Sequence, residues 1–260
     1  MTKHLLEVSD LSVIFHTVTG DVMAVNKVNW HLDKGEVLAI LGESGSGKSV
    51  SASAIVDLID MPPGEVISGE IWFKGNNLLA MPASKRREIN GKNIAVIFQD
   101  PLSHLNPVYT VGWQIEEALK VHATDRQTAH QEMFNLLEKV GIPYPHEAAK
   151  KYPHQFSGGQ RQRVMIAMAL ALRPDVLIAD EPTTALDVTV QAQILDLLVS
   201  LQKETGMALL IITHDLGVVA EVADRVIVMQ NGEVVESGSV RDVYFNPSHA
   251  YTKQLIKAAP

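Results

Sequence analysis

One stretch, Gly42-Glu43-Ser44-Gly45-Ser46-Gly47-Lys48-Ser49, limits this chain to very few folds. An apolar run from Val37 to Leu41 precedes it and reads as a buried strand. Helical spacing follows it, at Val50, Ala54, Ile55, Leu58 and Ile59. Strand, glycine-rich loop and helix, in that order, are the required context of a phosphate-binding loop. The glycines let the backbone wrap a phosphate chain with its N–H groups turned inward. The helix that starts at the loop adds its positive end. In such a loop Lys48 reaches the β- and γ-phosphates, and the Ser49 hydroxyl is a ligand for Mg2+.

The remaining composition narrows the class. A chain of 260 residues, 46 % of them hydrophobic, can build one large domain with an attached lobe. A net charge of −8 argues against a broad basic face for nucleic acid. With no cysteine there are no disulfides and no cysteine-held metal cluster, which fits the cytosol. Lys3, His4, Glu7 and Asp10 break up the N-terminus, so it lacks the apolar core of a signal peptide. The longest apolar candidates, residues 165–172 and 208–212, fall short of a membrane span. The expectation is a soluble chain whose membrane role, if it has one, comes through a partner.

The texture of the sequence changes along its length. Residues 5–29 carry short apolar patches broken at Gly20-Asp21, and 68–74 alternate around Ile71 and Phe73. These read as an antiparallel β-layer beside the loop. Residues 94–98 form a further apolar strand. Helical spacing then dominates at 110–122, 126–140 and 160–172, with prolines at 101, 107, 143, 145 and 153 as breakers. Residues 99–173 therefore read as a helical lobe. Continuous apolar runs return at 176–179 and 208–212, as in strands buried on both faces, with a helical pattern at 190–204 between them. Residues 225–229 and Val234-Val235 flank Asn231-Gly232, a strong hairpin signal, and 249–257 read as a last helix.

Chemistry-bearing residues cluster at strand ends. Asp180 and Glu181 follow the strand at 176–179, and in an open α/β sheet ligands bind at the carboxyl ends of strands. These two acids are expected to face the same crevice as the loop. One acid there can hold Mg2+ and the other can activate an attacking water. His214 lies just beyond the strand at 208–212 and can hydrogen-bond a γ-phosphate. Gln99 follows the strand at 94–98 and can offer a neutral oxygen to Mg2+ or water. A second glycine-rich anion nest lies at Ser157, Gly158, Gly159 and Gln160, with Ser157 as a helix N-cap. One γ-phosphate needs one such loop, so the second nest points to a nucleotide held by another subunit.

Taken in order, these residues resemble ABC-type ATPases. The loop at 42–49 looks like the Walker A motif, Gln99 the Q-loop, 157–160 the signature, 176–182 the Walker B, Ala185-Leu186-Asp187 the D-loop and His214 the H-loop. The resemblance covers nearly the whole chain. It implies an α/β P-loop NTPase fold: a RecA-like, mostly parallel sheet core (residues 1–98 and 174–260) with an antiparallel β-subdomain, and a helical subdomain (99–173). It implies ATP and Mg2+ as cofactors. Phe15 falls where the family stacks an aromatic on adenine, although a core position in the β-layer fits it equally. Residues from Gly42 to Val50 would bind the nucleotide; Ser49, Gln99 and Asp180 would hold the metal. Glu181 would be the general base and His214 the γ-phosphate sensor. Ser157, Gly158, Gly159, Gln160 and Asp187 would contact a partner subunit's nucleotide site, in a head-to-tail dimer with itself or with a homologous subunit.

Finer likeness points to importers of the dipeptide, oligopeptide and nickel group. It rests on residues 100–107 (Asp-Pro-Leu-Ser-His-Leu-Asn-Pro), on Tyr152-Pro153-His154-Gln155, on 179–190 and on 246–252. The run from Met165 to Leu170 resembles the "D" type of the two unequal ATPases in such systems. Gln160 stands where many D-type members have Met, and Ala250 replaces a usual Pro. Many of them also end in a cysteine-rich tail that holds an iron–sulfur cluster, which is not expected here. The resemblance implies a peripheral protein on the cytoplasmic face of a bacterial plasma membrane. Its partners would be two transmembrane permease subunits and, through them, an external substrate-binding protein, with no nucleic acid. Peptides are the first expectation for the cargo; nickel or another small solute is the alternative. A soluble ABC ATPase acting on DNA or ribosomes is disfavoured by the single ATPase half and the lack of sustained heptads. A lone P-loop kinase would leave residues 157–160 unexplained.

Overall fold

The structure, a computed structural model, describes residues 4–121, 125–184 and 186–258. His122, where the first lobe helix was expected to end, and Ala185 of the 185–187 motif lie outside the described residues, as do both extreme termini. The chain divides into two units, one of residues 1–88 and 208–260 and the other of residues 89–207.

The first unit opens with β1 (Leu6–Thr17), β2 (Gly20–Leu32), β3 (Val37–Leu41), α1 (Lys48–Ile55), β4 (Gly64–Phe73) and β5 (Asn76–Asn77). Helix α2 (Ala83–Ile89) ends at the unit boundary. Strand β1 is central in the antiparallel layer, whose order is β2-β1-β4-β5. It pairs Leu6 with Leu32 on one side and with Phe73 on the other. This is the β-layer expected from the sequence, with β4 longer than the alternating patch alone indicated. Every residue of β3 is buried. That is why the run carries no polar alternation.

Helix α1 is shorter than its apolar spacing predicts. It stops at Ile55, and Asp57 turns left-handed at φ 60°. The end closes locally, the Leu58 N–H donating to the Ser53 carbonyl at 3.0 Å, and is braced from afar. The guanidinium of buried Arg86 donates to the Ala54 carbonyl and pairs with Asp57 at 3.1 Å. A terminal helix carbonyl is thereby satisfied and a cation sits at the negative end. Ile59 is still buried, but from beyond the helix, and Leu58 is left 52 % exposed.

The second unit contains β6 (Ile94–Ile97), α3 (Pro101–His104), α4 (Val111–Val121), α5 (Arg126–Lys139), α6 (Pro145–Ala148), α7 (Gly158–Leu170), β7 (Val176–Asp180) and α8 (Val188–Thr205). Strands β6 and β7 pair in parallel, Ile94 with Val176 through Ile97 with Ala179. Asp125 caps α5 by accepting from the Gln127 and Thr128 N–H groups. Gly206, at φ 67°, ends α8 in the left-handed conformation that suits glycine.

The chain then returns to the first unit with β8 (Ala208–Thr213), α9 (Leu216–Val222), β9 (Arg225–Gln230), β10 (Glu233–Ser239), α10 (Val240–Phe245) and α11 (Ala250–Ala258). Strand β3 is flanked by β8 and β9, both parallel to it. Strands β9 and β10 form a hairpin whose turn residues Asn231 and Gly232 both have positive φ, as a two-residue turn of the primed kind requires. Helices α9, α10 and α11 pack Leu216, Val219, Val243 and Tyr251 against Ala39, Leu41, Val226 and Val228 of the strands. Among the described residues no helix is long and apolar enough to cross a membrane.

Candidate nucleotide site

Strand β3 delivers the chain into the loop at Gly42, and α1 begins at Lys48. Gly45 and Gly47 have φ of 81° and 97°. The space around Gly47 is as restrictive as its backbone. A Cβ there would lie 2.3 Å from the Ala24 carbonyl oxygen, and one on Gly42 would lie 2.3 Å from that of Met229. The turn of the β9–β10 hairpin braces the loop, because the Gly232 N–H donates to the Ser46 carbonyl at 3.0 Å. Asn26 N–H in turn donates to the Gly232 carbonyl at 2.8 Å.

Lys48 is only 4 % exposed, and its ammonium donates to the Gly42 and Glu43 carbonyls at 2.7 and 2.8 Å. The cation is therefore held over the loop it would serve. No side chain caps α1 and its first turn carries no acid. The first-turn N–H groups and the dipole are thus suited to an anion. The Ser46 Oγ is buried without a hydrogen-bond partner among the described residues. An orphaned hydroxyl, inward glycines and a buried ammonium fit a phosphate chain. Ser49 is exposed on the first turn of α1, and Val50 follows it half-buried. Glu43 and Ser44 are exposed on the loop.

Phe15 stands on β1, opposite Val22 on one side and Gly64 on the other. It is half-buried, and a Cβ on Gly64 would come within 3.0 Å of its ring. His214, exposed, immediately follows β8. Asp215 caps α9, its carboxylate accepting from the Gly217 N–H at 2.7 Å.

In the second unit Asp180 ends β7 and Glu181 follows it at φ 45°. A left-handed conformation at a glutamate is a local strain of the kind found at functional positions. It turns the carboxylate to Gln99, whose Nε2 donates to Glu181 Oε2 at 2.9 Å, and to Thr184, whose hydroxyl donates at 2.8 Å. The structure thus brings Gln99 and Glu181 together. With its Nε2 directed at Glu181, Gln99 presents its amide oxygen as the group a hard cation takes. Ser49 in the first unit, and Gln99 and Asp180 in the second, each offer oxygen, the donor chemistry that Mg2+ selects.

Ser157 caps α7 in a closed capping box. Its Oγ accepts from the Gln160 N–H at 3.3 Å, and Gln160 Oε1 accepts from the Ser157 N–H at 3.0 Å. Gly158 and Gly159 lie tight against the next element: a Cβ on Gly159 would meet Val190 at 2.5 Å, and one on Gly158 would meet Leu186 at 3.3 Å. Asp187 caps α8, accepting from the Val190 N–H at 2.9 Å.

Residues 25–184 match the ABC transporter family. The chain belongs to that family. It is an ABC-type ATPase. The oligopeptide transport ATP-binding protein OppD of Bacillus subtilis is 54 % identical over 257 residues, covering 98 % of this chain and 72 % of that protein. The dipeptide transport ATP-binding protein DppD of Escherichia coli is 51 % identical over 257 residues, covering 98 % of this chain and 78 % of its own length. Among solved structures, the post-hydrolysis dimer of the ATP-binding cassette MJ0796 bound to ADP and Pi superposes with a TM-score of 0.80 at 28 % identity, over 91 % of this chain and 99 % of that one. The α/β architecture expected of an ABC ATPase is thus borne out.

Sequence reasoning missed the supports of this ABC ATPase's motifs. Thr184 gave a local signal, a hydroxyl three residues beyond Glu181. Gly232 was legible as a turn but not as a brace for the loop, because that contact joins residues far apart in sequence.

Proposed function

We propose that this chain powers the import of di- and oligopeptides, binding and hydrolysing ATP on the cytoplasmic face of a bacterial membrane. The observation that carries the cargo assignment is the match to OppD along 98 % of this chain. Nickel or another small solute remains the alternative within the same group, because permease and binding protein choose the cargo.

In this reading Lys48 extends from the Gly42 and Glu43 carbonyls to the β- and γ-phosphates, and the N–H groups of residues 44–45 and 47–50 converge on the phosphate chain. Phe15 offers its ring to the adenine. Mg2+, when bound, neutralises developing charge on the phosphates, held by Ser49, Gln99 and Asp180. Glu181 accepts the proton of the attacking water, with Gln99 and Thr184 fixing its carboxylate. His214 hydrogen-bonds the γ-phosphate. Ser157, Gly158, Gly159 and Gln160 close over the nucleotide of a second ATPase subunit, and Asp187 meets that subunit. Residues 99–173 act as a helical subdomain: α3 to α7 fill it, and Tyr109 and Trp113 stack at 3.9 Å on its exposed surface, a fit for a permease helix.

Glu181→Gln tests the site directly in the complex assembled with its second ATPase and permease. ATP binding is expected to persist while phosphate release falls by at least about 100-fold. Unchanged turnover would remove Glu181 from the base role.

A further inference from the structure

We propose that Tyr251, on the C-terminal helix, is a positioning residue of the phosphate-binding loop: its hydroxyl fixes the Glu43 peptide on which Lys48 rests. The proposal rests on the ATP-binding reading above.

The Glu43 peptide is a junction. Its carbonyl accepts from the Lys48 ammonium at 2.8 Å and from the Ser46 N–H at 3.2 Å. Its N–H donates to the Tyr251 Oη at 3.1 Å. The two contacts on the carbonyl come from within the loop; the one on the N–H comes from an element outside it.

The position of that hydroxyl is set independently of the loop. Tyr251 is 6 % exposed, and its ring packs in the cluster with Leu41, Leu216, Val219, Val228 and Val243. The start of α11 is tied to β10, because Glu236 accepts from the Ser248 N–H at 2.6 Å, the Ser248 hydroxyl at 2.8 Å and the His249 N–H at 3.1 Å. A buried ring on an anchored helix offers its oxygen at a fixed point. Burial also keeps the phenol protonated, above its ordinary range.

An ammonium carries three donors, so Lys48 can reach a phosphate from its rest on the Gly42 and Glu43 carbonyls. The place of the Glu43 peptide thus sets where the ammonium sits, and the Tyr251 contact holds that peptide. A loop already ordered gives up less conformational entropy on closing around an anion. This ordering acts equally on bound substrate and transition state, so it belongs in affinity and KM rather than in kcat.

The test is Tyr251→Phe, which keeps the buried ring and removes the oxygen. Tyr244→Phe is its control. The Tyr244 hydroxyl donates to the Leu216 carbonyl at 2.7 Å, not to the loop, and its ring packs on the same cluster. A fluorescent ATP analogue titrated into the full chain gives Kd, and the assembled transport complex gives KM and kcat. Tyr251→Phe is expected to weaken binding and raise KM by about fivefold, one hydrogen bond's worth, with kcat within about twofold. Tyr244→Phe should bind as the parent does. Parental affinity in Tyr251→Phe, or equal losses in both variants, overturns the proposal. Hydrogen exchange of the unsubstituted chain gives a second reading that needs no variant: a slowly exchanging Glu43 N–H is expected, and fast exchange contradicts it. A parent chain that binds no ATP at all would overturn the nucleotide reading itself, a result distinct from these.

Discussion

At the scale of single residues, the glycines show how little freedom the loop leaves. Gly47 combines a left-handed backbone with a neighbouring carbonyl where its Cβ would go. Gly47→Ala therefore meets strain and a clash together, and should cost roughly 2 kcal/mol or more of stability. Thermal melts are expected to fall by about 4 °C or more for a chain of this size, with ATP affinity lost alongside. An alanine variant that melts and binds like the parent would mean that the loop relaxes around the methyl. Glu181 teaches a related lesson. Its chemistry was legible as an acid at a strand end. The positive φ that turns it and the Thr184 bond are local, but the Gln99 bond depends on β6 and β7 pairing side by side.

At the scale of elements, some parts of the fold announced themselves and others did not. Strands β3 and β8 were readable because burial on both faces leaves a run without polar alternation. The Asn231-Gly232 hairpin was readable because its backbone geometry suits those two residues. The end of α1 was hidden. Leu58 and Ile59 kept the helical spacing, but a left-handed Asp57 closes the helix early and Arg86, 32 positions beyond the Ala54 carbonyl that it caps, braces that end. The anchor of α11 was hidden for the same reason. Burial raises the Glu236 carboxyl, but hydrogen bonds from Ser248 and His249 outweigh it and bring its pKa to about 2. A carboxylate depressed in the folded state stabilises the fold above its unfolded pKa. That contribution is lost as pH falls from about 4.5 toward about 2. Glu236→Gln should therefore lower the melting temperature at pH 7 by about 3 °C, after allowance for solvent screening. Paired melts at decreasing pH should show the gap closing below pH 4.5. A gap that stayed constant would mean that the carboxylate charge is not what holds α11.

At the scale of the whole molecule, the motif residues are shared between the two units. The loop, Phe15 and His214 belong to the first; Gln99, Asp180, Glu181, residues 157–160 and Asp187 belong to the second. Their order along the chain was enough to reveal the family, because each motif is local. The capping box at Ser157 and Gln160 satisfies the start of α7 within the chain itself. Its proposed second task, closing over another subunit's nucleotide, requires an assembly. The central claim is therefore about coupled work: ATP turnover that depends on a partner ATPase, a permease and a peptide. The most direct test is ATP hydrolysis by the reconstituted membrane complex, measured with and without peptide-loaded binding protein. The account predicts that di- or oligopeptides raise turnover well above that of the isolated chain. Equal turnover by the isolated chain, or stimulation by nickel and not by peptides, would contradict it.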